Sequence, residues 1–451
     1  MTSISQIPNQ LDLDQRVPRY TSYPPANHFN GAVTAFHAEK WLRTLPSQAG
    51  ISLYVHIPFC RNLCWFCACR TQGLKQRFSP LYSYVDRVQQ ELDLIRAMLP
   101  EDVVINNLHL GGGTPTLMPA ALSARLLHYI KDLFAVRNNY KFSVEIDPTE
   151  IDETRLDVLV AAGLTRASIG IQDFNSLIQQ AIGRPQSFEV TKRCFDMLRD
   201  RNINSINVDL LYGLPHQTPA GHTKTIEKVL DLAPDRIALF GYAHVPWMAR
   251  RQVMIDQQAL PDTRKRRDLL ETGRRIFANN GYQALGIDHF AKPHDPLVVA
   301  AGNGQLHRNF QGYTDDQSDY LIGVGASAIS RYPQGYAQNA AGTKAYMDMI
   351  SNMTLATSRG HIFDQSDRVR GHVIEQLMCH FKINLNELSQ RFGDASADLC
   401  NAIRLQAKGL GLTTSGDDIF EIEQAPHLTA RLVANHFDDY SSQTKSHSLA
   451  V

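Results

Sequence analysis

The feature that most constrains this chain is a beat of strand and helix that begins near residue 50 and repeats six times. Strand-like runs fall at 51–57, 103–110, 142–146, 166–171, 205–211, 236–242 and 282–287. Helical patterns fall between them at 81–98, 120–134, 154–162, 188–199, 218–232 and 264–279. In the first helix Leu81, Tyr84, Val85, Val88, Leu92, Ile95 and Met98 recur at steps of three and four, as one buried helical face requires. Such alternation implies parallel strands joined by right-handed crossovers. The expected fold is therefore α/β, a partial TIM-like (β/α)6 barrel open at one side. Barrels of this kind carry their chemistry at the C-terminal ends of the strands.

The first strand runs into four cysteines within ten residues, Cys60, Cys64, Cys67 and Cys69. Three thiolates spaced C-x3-C-x2-C can hold three irons of a [4Fe–4S] cube, leaving the fourth iron open to a small chelating molecule. A structural zinc site usually pairs two separated knuckles, and no second Cys/His knuckle follows. A disulfide framework does not suit seven cysteines in so long a chain without a secretory signal. The stronger rival is a closed electron-transfer cluster with Cys69 as fourth ligand. Cys194, Cys379 and Cys400 lie far away and read as buried thiols.

Other polar groups end the remaining strands. Gly111, Gly112, Gly113 and Thr114 follow the second, Glu145 and Asp147 the third, Gln172 and Asp173 the fourth, Asp209 sits late in the fifth, and Tyr242 and His244 end the sixth. Six candidates thus share one rim. Three consecutive glycines read either as a tight turn or as a place where a ligand's ammonium meets backbone carbonyls. Glu145 reads as a ligand-binding carboxylate or a surface ion pair. Tyr54 and His56 alternate on the first strand and share a face.

Residues 1–35 hold no amphipathic period and contain Pro8, Pro18, Pro24 and Pro25, so they read as an extended arm or a solvated tail. Residues 36–340 form the barrel and its extension, and 341–451 a separate, mostly helical domain. In that domain 410–423 reads as a small hairpin turning at Gly416, Asp417 and Asp418. The run Arg264, Lys265, Arg266 and Arg267 reads as a solvated helix face. Forty-five basic residues balance 45 acidic ones, which leaves no electrostatic footprint for nucleic acid or anionic membrane. No run approaches a membrane span, and the expected location is a reducing cytoplasm.

The cysteine spacing resembles that of the radical S-adenosylmethionine (SAM) superfamily. The segments 18–24 (Pro-Arg-Tyr-Thr-Ser-Tyr-Pro), 111–116, 145–148, 171–174, 212–215, 242–244 and 306–313 (Leu-His-Arg-Asn-Phe-Gln-Gly-Tyr) resemble, in order, the oxygen-independent coproporphyrinogen III oxidases. That resemblance implies Cys60, Cys64 and Cys67 as ligands of one [4Fe–4S] cluster. It implies Tyr54, Phe66, Gly111, Gly112, Gly113, Thr114, Glu145, Ala243 and Ile329 around a first SAM, and Gln172, Arg184 and Asp209 around a second. It makes His56 a proton donor or cluster neighbour and Gln311 a second catalytic candidate, with the arm lying across the active site. Arg19 and Arg308 are expected to meet substrate propionates. The implied reaction converts two propionates of coproporphyrinogen III to vinyl groups through a 5′-deoxyadenosyl radical, giving protoporphyrinogen IX. Implied partners are a low-potential electron donor such as flavodoxin or ferredoxin and an electron acceptor, acting on a monomer. A haem-binding chaperone and a radical methyltransferase acting on haem are the rival functions within the superfamily.

Overall fold

The computed structural model describes residues 13–74, 78–416 and 418–441. Six parallel strands form the arc expected from the alternation: β1 (Gly50–Ile57), β2 (Val104–Gly112), β3 (Ala135–Ile146), β4 (Arg166–Gln172), β5 (Ser205–Tyr212) and β6 (Arg236–Gly241). Their inward and outward apolar residues bury almost completely. Ile51, Leu53, Val55 and Ile57 of β1 meet Leu81, Tyr84, Val88 and Leu92 of the helix Ser79–Arg96 in one core. Helix starts follow the local chemistry. Asp152, Ser187, Thr218 and Asp262 each accept a backbone N–H at the N-terminus of a helix, satisfying donors that the first turn leaves unpaired.

The partial barrel is larger than the alternation alone suggested. A seventh parallel strand, Tyr320–Val324, pairs with the free side of β1, and Ile329–Tyr332, Gly335–Asn339 and Thr357–Ile362 continue the sheet in antiparallel order. At the other edge the expected strand at 282–287 is a short antiparallel hairpin, Gln283–Leu285 with His289–Ala291. The expected boundary near 341 therefore falls inside this sheet. Helix Thr343–Ser351 packs its Tyr346 and Ile350 into the barrel core, and the last sheet strand ends at Ile362. A second core gathers Val373, Leu377, Leu388, Ile403 and Val433 from residues beyond 363. It holds helices at Gln365–His380, Leu385–Phe392, Ala397–Gln406 and Pro426–Asn435, and the hairpin Leu412–Gly416 with Ile419–Ile422. A third strand there, Lys382–Asn384, joins the hairpin and was not anticipated. Asp417, expected at the turn, lies outside the described residues.

Residues 13–34 are tied down, and 1–12 lie outside the described part of the arm. Tyr20 and Tyr23 bury in the second core, the Tyr20 hydroxyl donates to Asp438 at 3.0 Å, and the Arg431 guanidinium donates to the carbonyls of Val17 and Pro18. Further on, Asn30 exchanges two backbone hydrogen bonds of 2.9 Å with Gly360, covering the edge strand of the sheet. The arm thus bridges both cores. Arg266 corrects another expectation. Its three neighbours in the basic run stay on the helix surface, whereas Arg266 is 8% exposed and its guanidinium stands over the Tyr212 ring. Its helical phase puts it on the face with Leu269, Leu270 and Gly273.

Candidate active site

The strand ends meet in one cavity of 1020 Å³. Its lining includes Tyr54, His56, Cys60, Cys64, Phe66, Cys67 and Cys69, Gly112, Gly113 and Thr114 but not Gly111, and Glu145, Gln172, Arg184, Asp209, Ala243 and Ile329, with Arg19, Arg308 and Gln311 also facing it.

The cysteine loop is closed at its base. Phe59–Cys60 pairs with Gln72–Gly73, and the Leu74 N–H donates to the Cys60 carbonyl at 2.8 Å. At its tip the Trp65 N–H donates to the Ile182 carbonyl at 2.9 Å. Two residues that sequence reasoning missed fasten the far side. Gln252, almost wholly buried, donates through Nε2 to the carbonyls of Phe66 and Ala243 at 2.8 and 3.0 Å. Arg251 donates to the Cys69 carbonyl at 3.0 Å and the Thr71 hydroxyl at 2.8 Å. Both sit in the turn Arg250–Met254, which carries no motif, and only the fold brings it against the loop.

His56 is fully committed within the chain. A carbonyl can only accept, so the contact to the Arg70 carbonyl at 3.2 Å puts the ring proton on Nε2. Nδ1 then accepts from the Tyr54 hydroxyl at 2.9 Å. Burial lowers the His56 pKa, so the neutral ring is favoured. This geometry makes His56 a strut for the end of the cysteine loop. Tyr54 also stacks on His109 with ring centroids 5.6 Å apart.

The glycine run has an internal explanation. A Cβ on Gly111 would stand 2.7 Å from Glu145 Oε1, one on Gly112 2.6 Å from the His56 ring, and one on Gly113 2.5 Å from the Phe59 carbonyl oxygen. The chain's own groups already fill the space that missing side chains were expected to leave for a ligand. Glu145 opens onto the cavity rather than the outer surface, its side chain 40% exposed there: it accepts the Gly112 N–H at 2.9 Å and faces His109 Nε2 at 3.4 Å. Burial pushes its pKa up, but the His109 contact and the Gly112 bond outweigh that and leave it lowered, an ionised carboxylate.

Arg184 is largely enclosed, its side chain 14% exposed. One Nη pairs with Asp147 at 3.2 Å and lies 3.4 Å from Cys64 Sγ, while the other donates to the Gly170 carbonyl at 3.0 Å. Its Nε has no hydrogen-bond partner among the described residues. Gln172 adopts φ +68° and approaches Arg184 across Gly170. Asp209 accepts from Asn207 at 2.9 Å and Ser168 at 3.2 Å, and burial raises its pKa to about 6. Asp173 turns away from the rim. It is wholly buried, takes hydrogen bonds from Gln217, Thr225 and the Asn175 N–H, and is a structural carboxylate.

Arg19 reaches from the arm to the Gly241 carbonyl at the end of β6. Arg308 has a 4% exposed side chain, stands 4.5 Å from the Tyr313 ring centroid and pairs with Asp288 at 3.6 Å. Burial favours the neutral Asp288 carboxyl, yet the Arg308 guanidinium and the His289 bond hold its pKa at about 2. Nε and Nη1 of Arg308 have no hydrogen-bond partner among the described residues. Gln311 is exposed at the tip of the hairpin His307–Asn309 and Gly312–Thr314, with its N–H bound to Asn309 Oδ1 at 2.9 Å.

A parallel arc with a three-thiol loop at the end of its first strand defines the class. The family model of the radical SAM superfamily matches residues 54–229. The chain is 48% identical to the oxygen-independent coproporphyrinogen III oxidase of Paracoccus denitrificans and 47% identical to that of Cereibacter sphaeroides, covering 100% and 99% of both partners. The solved coproporphyrinogen III oxidase of Escherichia coli, a radical SAM enzyme, superposes with a TM-score of 0.88 at 34% identity, over 94% of this chain and all of that one. The chain belongs to the family of oxygen-independent coproporphyrinogen III oxidases.

Membership implies a [4Fe–4S] cluster and SAM, and the donor set fits them. Four soft thiols of one loop line the cavity, Cys60, Cys64 and Cys67 in the C-x3-C-x2-C spacing and Cys69 beyond them, with a guanidinium beside Cys64. Burial pushes the Cys60 thiol up to about 11, so binding iron there expels a proton. Among the described residues no three His, Cys, Asp or Glu side chains gather around a single metal ion. No helix of the described residues is long and apolar enough to cross a membrane.

Proposed function

We propose that this chain carries out the oxidative decarboxylation of two propionates of coproporphyrinogen III to vinyl groups, yielding protoporphyrinogen IX without oxygen. The observation that carries the reading is that one cavity joins the three-thiol loop to two arginines, Arg19 and Arg308, positioned to meet carboxylates. Bound in this cavity, a cluster and SAM would supply one-electron radical chemistry, which side chains cannot perform.

The chain's residues set position and access. Cys60, Cys64 and Cys67 hold the cluster. Glu145, ionised, receives the amino group or ribose hydroxyls of a first SAM beside Tyr54, Phe66, Gly111 to Thr114, Ala243 and Ile329. The free Nε of Arg184, with Gln172 and Asp209, serves a second SAM. The unpartnered nitrogens of Arg308 accept a propionate, and Gln311 faces the reacting end of the cavity. Val17, Pro18, Arg19 and Thr21 of the arm line this space and help exclude water from it. An external low-potential protein such as flavodoxin or ferredoxin supplies electrons, an acceptor removes them, and the chain works as a monomer in the cytoplasm.

Anaerobically reduced protein incubated with SAM and coproporphyrinogen III tests the reading. Vinyl product with CO2 supports it. Bound haem without turnover points to a chaperone, and a methylated tetrapyrrole to a methyltransferase; either refutes it.

A further inference from the structure

A second cavity of 680 Å³ opens between the arm, the antiparallel edge of the sheet and the residues beyond 363. Thr21, Arg308, Asn309, Phe310 and Leu321 line both this cavity and the first, so the two adjoin through one wall. Its cations are unusual in having so little to do. Arg331 and Arg368 are exposed and make no side-chain hydrogen bond or salt bridge among the described residues, and Arg391 rests only on the ring of its neighbour Phe392.

The carboxylates nearby are mostly engaged. Glu375 bonds His307 at 3.1 Å, Asp367 takes His361 at 2.7 Å and Tyr440 at 2.8 Å, and Asp364 accepts the Asp367 N–H. Asp319 alone among the lining acids has no such bond. Three guanidiniums thus look onto the space, Arg331 within the electrostatic reach of Glu375 and Asp319 but without a direct salt bridge among the described residues. At the shared wall stands Arg308, buried, with Nε and Nη1 unsatisfied. Orphaned donors on a buried guanidinium are costly and mark a place where an anion completes the site. The aromatic side is supplied by Phe310, Tyr336 and Phe363, whose rings meet edge to face at 5.7 and 5.0 Å.

We propose that the second cavity is the anchoring half of the tetrapyrrole site, in which Arg331, Arg368 and Arg391 hold the propionates that are not reacting. This rests on the function proposed above. A substrate with four flexible carboxylates, of which two are consumed in turn, must keep its remaining ones bound while a different ring is presented to the first cavity. Exposed guanidiniums without a salt-bridge partner among the described residues suit that task better than a fixed bidentate clamp, because they can pair with carboxylates in more than one arrangement.

The test titrates the full, cluster-loaded chain with coproporphyrin III, the oxidised coloured form of the substrate, following its fluorescence. The triple variant R331Q/R368Q/R391Q is expected to bind it about tenfold more weakly, since each exposed guanidinium–carboxylate pair contributes about twofold. Arg331→Lys in the wild-type background is expected to retain most of the affinity. Each single glutamine variant is expected to lose about twofold, which guards against misfolding of the triple variant. Affinities unchanged in the triple variant, or in all three singles should the triple variant not fold, overturn the anchor. Failure of the wild-type chain to form vinyl product would instead strike the proposed function, and the two results are read separately.

Discussion

Gly113 offers the sharpest check on how the cysteine loop is held. A Cβ there would lie 2.5 Å from the Phe59 carbonyl oxygen, 2.8 Å from its nitrogen and 2.9 Å from the Ile57 carbonyl oxygen. All three are backbone atoms, so no side chain can swing aside. Restoring ordinary contact at 3.4 Å requires a shift of about 0.9 Å. The same atoms carry two hydrogen bonds, Gly113 N–H to Ile57 and Thr114 N–H to Phe59, each 2.8 Å, and that shift would break both. Two lost bonds at about 1 kcal/mol each and overpacking of about 1–3 kcal/mol give Gly113→Ala a cost of about 3–5 kcal/mol. Cys60 is the next residue after Phe59, so iron content is expected to fall with stability. Gly31→Ala is the control, since its Cβ would meet nothing within 4 Å, and should stay within about 0.5 kcal/mol of wild type. Anaerobic denaturant unfolding with iron and sulfide counts measures both. A Gly113→Ala protein with wild-type midpoint and full iron would refute the account.

Cys69→Ala is expected to keep wild-type iron content whereas Cys67→Ala loses most of it; iron loss in Cys69→Ala would make Cys69 the fourth ligand and remove the open iron. Burial lifts the Glu91 carboxyl to about 7 despite bonds from Tyr346, the Gly325 N–H and Asn339. The folded chain therefore holds a proton there that the unfolded chain releases near pH 4.3, so this group's contribution falls as pH rises to about 7 and is then constant. Glu91→Gln should flatten stability against pH across that window in denaturant titrations, and a slope equal to wild type would contradict the assignment. Tyr20→Phe, which deletes the buried bond to Asp438, should cost about 1 kcal/mol by the same method, with no effect meaning that the arm is not anchored there. Arg308→Ala at saturating SAM should raise the apparent KM for coproporphyrinogen III, and an unchanged value would discard its role in binding propionate.

Much of this was legible in the chain because its information is local. The alternation of apolar periods marks each strand and helix of the arc, and the cysteine spacing marks the loop, since both depend on residues a few positions apart. Tyr320–Val324 escaped notice because five residues beside a glycine-containing turn carry too little period to read. What makes it a barrel strand is its parallel pairing with β1, some 270 residues earlier. The same limit hid Gln252 and Arg251, whose partners on the cysteine loop lie more than 170 residues away. It also misplaced Arg266, whose burial is decided by which elements close over it. Sequence by itself determined the alternating architecture, the four-cysteine loop and the family. Only the tertiary structure decided that His56 braces a loop, that the glycines make room for the chain's own atoms, and that a second arginine-lined cavity adjoins the first. The physical reason is that periodicity and spacing are properties of neighbours along the chain, whereas hydrogen-bond satisfaction and burial are settled between segments that meet only when it folds.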